Sequence, residues 1–205
     1  MGFGILMIGY FFANVMSLYS TLSFAMLVGY PLMIWGLRRL APYHARLRYT
    51  YYAAYAALPF AVYFSLFSIM QWCHADWGFF AVTHTAVEWC YFAFTLALHF
   101  LLLYGLAGLA GELGLVSVQS AAWRNVIMMA LYAVIDLVSR LPIPWITANA
   151  GYFTAPVLLL KILFLLLNMW LLFQCYRKIA PEEEVFPQLV PEAEEADEEG
   201  KEDDA

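Results

Sequence analysis

The hydrophobic positions of this chain do not alternate; they run. Residues 2 to 37 carry no charge, and further apolar runs follow at about 49–70, 82–110, 122–141 and 154–176. A helix needs about 20 apolar residues to cross a bilayer, so each of the four later runs reads as one transmembrane span. The first run is too long for one ordinary span, and Ser17 to Thr21 is its most polar interruption. We divide it there into two short helices, 3–17 and 21–37, each covering only about 22–26 Å at 1.5 Å per residue. Pro59 falls near the middle of the third run and predicts a kink. Ala53 and Ala57 form a small-xxx-small pair, and Gly105, Gly108, Gly111 and Gly114 mark close packing or a fraying helix end. The expected fold is an all-α integral membrane bundle of about six helices over residues 1–180.

Polar residues inside these runs follow helical spacing. In the fourth, His84, Glu88, Thr95 and His99 recur at steps that return to one face. The fifth carries Asn125, Tyr132, Asp136 and Arg140, and the sixth Thr154, Lys161, Asn168 and Cys175. A lipid-facing carboxylate is costly, so three such stripes predict a shared interior. Counted from the expected helix ends at 1.5 Å per residue, Glu88, Lys161 and Asp136 lie about 9, 10 and 7 Å deep. One layer therefore gathers two acids and a base, and a second layer gathers His99, Asn125 and Asn168. The first layer reads either as a polar cavity that binds a solute or relays protons, or as ion pairs, Lys161 with Glu88 or Asp136 and Arg140 with Asp136 one turn away, that set helix register. Arg140 reads as an interface residue that snorkels toward water.

Composition adds the class. With 64% hydrophobic and 13% charged residues and a mean hydropathy of +0.70, the chain lies outside the range of soluble domains. The formal charge of −6 sums two opposed regions. From Pro181 onward there are twelve acidic residues and one lysine, against nine Lys or Arg and four Asp or Glu before it. Residues 181–205 read as a disordered acidic tail, a solvated appendage or a hook for a basic protein or a second membrane subunit. With no Lys or Arg before Arg38, no cleavable signal peptide is expected. Arg38, Arg39, Arg46, Arg48, Arg124, Arg177 and Lys178 fall in loops or helix ends of one side, which places both termini in the cytoplasm and the bundle in the plasma membrane. Cys73, Cys90 and Cys175 show no metal-ligand spacing, and we read them as buried thiols.

The chemistry stays open. A metal-dependent membrane hydrolase would use His84 and Glu88, with His74 or Asp76 reaching in from the preceding loop, but HxxxE lacks the HExxH arrangement of zinc proteases. No GxSxG or phosphate-loop motif, no cofactor motif and no nucleic-acid-binding feature is found. In size and span count the chain resembles the substrate-binding subunits of energy-coupling factor vitamin transporters, an architectural resemblance that transfers no residues. The expectation is a small-solute binding or transport component with Glu88, Asp136, Lys161, His84, His99 and Asn168 about a cavity, and with no catalytic residue assigned. Its competitor is a non-catalytic interaction or assembly protein in the same bilayer.

Overall fold

The computed structural model describes residues 2–18, 23–74, 78–141, 143–145 and 149–183. The acidic tail beyond 183 and the predicted break at 19–21 lie outside these residues, and so does Asp76. All the described elements are helical, and four helical stretches are long and apolar enough to cross a membrane: Ala45–Trp72, Val82–Glu112, Val116–Ser139 and Gly151–Ile179. Side chains such as Ile127 and Leu159, 68% and 67% exposed, face outward from them, a surface that suits lipid and not water.

The chain opens with α1 (Gly2–Tyr10), which continues through a π turn (Phe11–Val15) and a 3₁₀ turn (Met16–Leu18). Asn14 Nδ2 bonds the Tyr10 carbonyl at 3.2 Å and Ser17 Oγ the Ala13 carbonyl at 2.6 Å, side-chain bonds that often accompany such irregular turns. Then comes α2 (Ala25–Leu40), which folds back along α1. At 16 residues α2 is about 24 Å long, short of the roughly 30 Å hydrocarbon core. Glycine makes this hairpin tight. A methyl at Gly36 would stand 2.6 Å from the Leu6 nitrogen, and methyls at Gly9 and Gly29 would run into the backbone of Met33 and Ala13. The pairs Gly2/Gly9 and Gly29/Gly36 each repeat after seven residues, so the bare positions line up along the seam.

The third predicted span is two helices, α3 (Ala45–Tyr55) and α4 (Ala57–Trp72), joined by a turn at Ala56. Pro59 is the cause, since it offers no N–H to the Tyr55 carbonyl and its ring crowds that oxygen. The break therefore sits one turn before the proline. Next are α5 (Gly78–Glu112), α6 (Val116–Ser139) and α7 (Ala150–Glu183). The last two start earlier than the predicted 122 and 154, and α7 runs past Pro181.

Three of the four glycines near the end of α5 have separate tasks. Gly105 accommodates Leu47 and Gly108 the His44 ring, letting α3 cross closely. Gly114, at φ +67°, makes the left-handed turn into α6. His44 caps α3 by accepting from the Arg46 N–H at 3.0 Å, and its other ring nitrogen lies 3.4 Å from Glu112. Arg46 lies over the Tyr104 ring at 4.0 Å. With Lys178 Nζ donating to Ser117 Oγ at 2.9 Å, these contacts gather Arg38, Arg39, Arg46, Arg48 and Lys178 at one end of the bundle. In the middle, α1 packs against α2 and α7, and Tyr10, Leu6 and Phe3 are buried. One face of the first helix is thus buried in the bundle, while Ile8 on the other is exposed.

Replacing Gly36 by Leu should lower the unfolding free energy in detergent by about 1–3 kcal/mol, the range for overpacking a tight contact. Gly151→Ala, with nothing within 4 Å of the added methyl, is the matched control and should leave the melt unchanged or raise it.

Candidate functional site

The deeper polar layer is a single chain of hydrogen bonds across four helices. Asn125 Nδ2 on α6 donates to Asn168 Oδ1 on α7 at 3.0 Å, and Asn168 Nδ2 donates to the Tyr10 hydroxyl at 2.9 Å. That hydroxyl lies 3.0 Å from His99 Nε2, and His99 Nδ1 lies 2.7 Å from the Thr95 carbonyl. The carbonyl can only accept, so Nδ1 carries a proton. In the neutral imidazole with its proton on Nδ1, Nε2 is an acceptor, so the Tyr10 hydroxyl donates to Nε2 while its oxygen accepts from Asn168. All four side chains are buried. The sequence brought His99, Asn125 and Asn168 to one level; Tyr10, which ties them together, was not foreseen because α1 offered no polar stripe to read.

Above this layer, toward the end of the bundle opposite Arg38, Arg39, Arg46 and Arg48, lies a cavity of about 280 Å³. His84, Glu88, Thr95 and His99 of α5 all border it, so that helix turns its polar face inward. The opposite wall is aromatic. The His84 ring stacks on Phe67 with centroids 3.9 Å apart, and Phe64 packs edge-on to Tyr91 at 4.9 Å. Tyr91 in turn shares a 2.8 Å hydrogen bond with Tyr30. Glu88 Oε1 lies 3.2 Å from His84 Nε2, whereas His84 Nδ1 is buried with no hydrogen-bond partner among the described residues.

The three charges expected to meet do not form one cluster. Asp136 pairs with Arg140 one turn along α6, 3.2 Å from its Nε, and the carboxylate is buried while the guanidinium is partly exposed. Glu88 pairs with His84. Lys161 has no hydrogen bond or ion pair with any described residue. Depth calculated along each helix sets a level, and at that level each carboxylate is met by the i, i+4 partner on its own helix, while Lys161 shares one cavity with Glu88 and the other with Asp136. Arg140, read from sequence as an interface residue, is partly exposed at the end of α6. Its guanidinium lies 5.2 Å from the Phe92 centroid and 5.7 Å from that of Trp89, both on α5, and it borders the cavity.

A second cavity of about 350 Å³ lies between α6 and α7, bordered by Asp136, Ser139 and Thr154. Tyr132, Arg140 and Lys161 line both spaces and stand where they adjoin. Among the described residues no three of His, Cys, Asp and Glu come together as a metal-binding group, so the His84–Glu88 pair lacks a third ligand there. Asp76, one of its expected helpers, lies outside the described residues. Of the cysteines only Cys175 is buried; Cys73 and Cys90 are exposed, because they face outward from α4 and α5.

Set against known proteins, the chain matches no protein family, no curated protein and no solved structure.

Two stability experiments follow from this geometry. Tyr10→Phe leaves the Asn168 donor and the His99 acceptor unpaired and should cost about 1–3 kcal/mol for each, whereas Tyr51→Phe, in an exposed pair with Tyr55, should cost almost nothing. Arg140→Met should destabilise by roughly 3 kcal/mol because it strands a buried carboxylate, and adding Asp136→Asn should recover most of the loss. Glu88→Ala and Lys161→Ala should simply add, within about 0.5 kcal/mol, because the two groups do not pair. Unfolding titrations in detergent read all of these.

Proposed function

We propose that this chain is a small-solute binding or transport component of a membrane, with the cavity among α1, α2, α4, α5, α6 and α7 as its site. The observation that carries the reading is Lys161, a cation on an apolar helix that borders two adjoining cavities and makes no ion pair among the described residues. A charge kept inside the membrane region for structural reasons alone is expected to be paired. An unpaired one beside empty space fits a group that a ligand completes. The aromatic wall supports the same reading, since ligand sites combine apolar lining with a few placed polar groups.

The topology we propose has six crossings, both termini in the cytoplasm, the bundle in the plasma membrane and a disordered acidic tail. Two contacts favour counting the short first hairpin as two crossings. Gly4 of α1 lies by Tyr176 near the cytoplasmic end of α7, and Ser17, beyond the other end of α1, borders the cavity beside His84. The twelve acidic residues after Pro181 favour a second reading, an interaction protein that uses its tail to hold a basic partner.

A thermal-shift screen of the purified full chain against a panel of small metabolites separates the two. Under the cavity reading at least one compound raises the melting temperature of the wild type and of a chain lacking residues 184–205, but not that of Lys161→Met. A panel that shifts none of the three overturns it.

A further inference from the structure

The charges around the two spaces specify the kind of solute, if the cavity binds one as proposed above. Asp136 borders only the space between α6 and α7, and Glu88 only the inner cavity. Arg140 and Lys161 border both. The junction therefore has two cations, and one carboxylate, Asp136, is already engaged with Arg140 at 3.2 Å. The other carboxylate, Glu88, borders only the inner cavity, 3.2 Å from His84 Nε2. At the junction itself Lys161 is the cation that no described carboxylate pairs with.

We infer that the site takes a small organic monoanion, a carboxylate joined to a compact apolar body. The carboxylate sits at the junction, accepting hydrogen bonds from Lys161 Nζ and completing the charge that Asp136 leaves uncompensated. The body extends into the inner cavity against Phe64, Phe67 and Tyr91, whose rings form its apolar wall. Three features of the site argue for this class. A cation as ligand would meet Lys161 and Arg140 at the junction, where the one described carboxylate, Asp136, is already paired. A neutral ligand would leave the lysine unpaired. A volume of about 280 Å³ suits a body of one ring and not a long chain.

The test is calorimetric titration of the full chain in lipid nanodiscs with three probes of one shape: benzoate, benzamide and benzylamine. Benzoate should bind about tenfold or more tightly than either of the others, the worth of one charge-assisted contact away from water. Lys161→Met should lose that preference and Lys161→Arg keep most of it. The comparison among probes on the wild type needs no variant, so a misfolded mutant cannot decide the result. Equal or tighter binding of benzamide or benzylamine overturns the anion assignment and leaves the cavity reading standing. Should neither these probes nor the metabolite panel bind, both fall. A series of straight-chain carboxylates closes the remaining route. Affinity that keeps rising with each methylene beyond about eight carbons, near 0.8 kcal/mol apiece, would mark a fatty acid from the bilayer and overturn the assignment to a compact solute. A plateau supports it.

Discussion

The hydroxyl of Tyr10 accepts from Asn168, donates to His99 and so joins α1 to α7 and α5 at the centre of the bundle. In a membrane interior no water is at hand to replace a lost partner, so each buried polar group must find one within the protein. The chain from Asn125 to Thr95 meets that demand with one arrangement of donors and acceptors, except at its far end, where the Asn125 carbonyl oxygen has no partner among the described residues. Rotating or slipping α1 or α7 would break two of these bonds, and α5 or α6 one. The network therefore sets the register of four helices, where apolar packing between lipid-like side chains discriminates weakly.

Close packing at the N-terminal hairpin supports this arrangement. Tyr10 reaches the middle of the bundle because Gly9, Gly29 and Gly36 allow α1 and α2 to approach backbone to backbone, which makes the pair thin enough to sit among longer helices. The π turn after Tyr10 and the side-chain bonds of Asn14 and Ser17 follow directly, at the point where α1 leaves the packed layer and meets the cavity. Order below the cavity and open space above it are two consequences of one geometry. The helices are pinned by His99 and its partners, and above that level bulky rings hold them apart.

Electrostatics divides the same way. Asp136 and Arg140 form a pair within α6 that also presses the guanidinium onto two aromatic rings of α5, so the pair does structural work between helices. Glu88 and His84 form a pair within α5, stacked on Phe67 of α4. Both are local i, i+4 contacts, satisfied by the geometry of one helix. Lys161 has no such partner on α7, where its neighbours one turn away are Val157, Leu158, Phe164 and Leu165. Its isolation is what separates a candidate site from a set of register-fixing pairs.

The apolar runs by themselves determined the all-helical class, the four long spans and the faces on which polar residues lie, because helical period and bilayer thickness act along one chain at a time. Pro59 announced a break, although its position at Ala56 depended on which carbonyl the ring meets. The grouping of His99, Asn125 and Asn168 was legible for the same reason: depth accumulates along a helix at a constant rise. Which of those residues touch was not, since spacing fixes a face and leaves the rotation of the neighbouring helix free. The i, i+4 spacing within single helices already offered Arg140 to Asp136 and His84 to Glu88. Tertiary structure alone decided that Lys161 joins neither pair. It alone placed Tyr10, from a helix without a polar stripe, at the centre, because what brought that helix inward was a row of absent side chains on its partner.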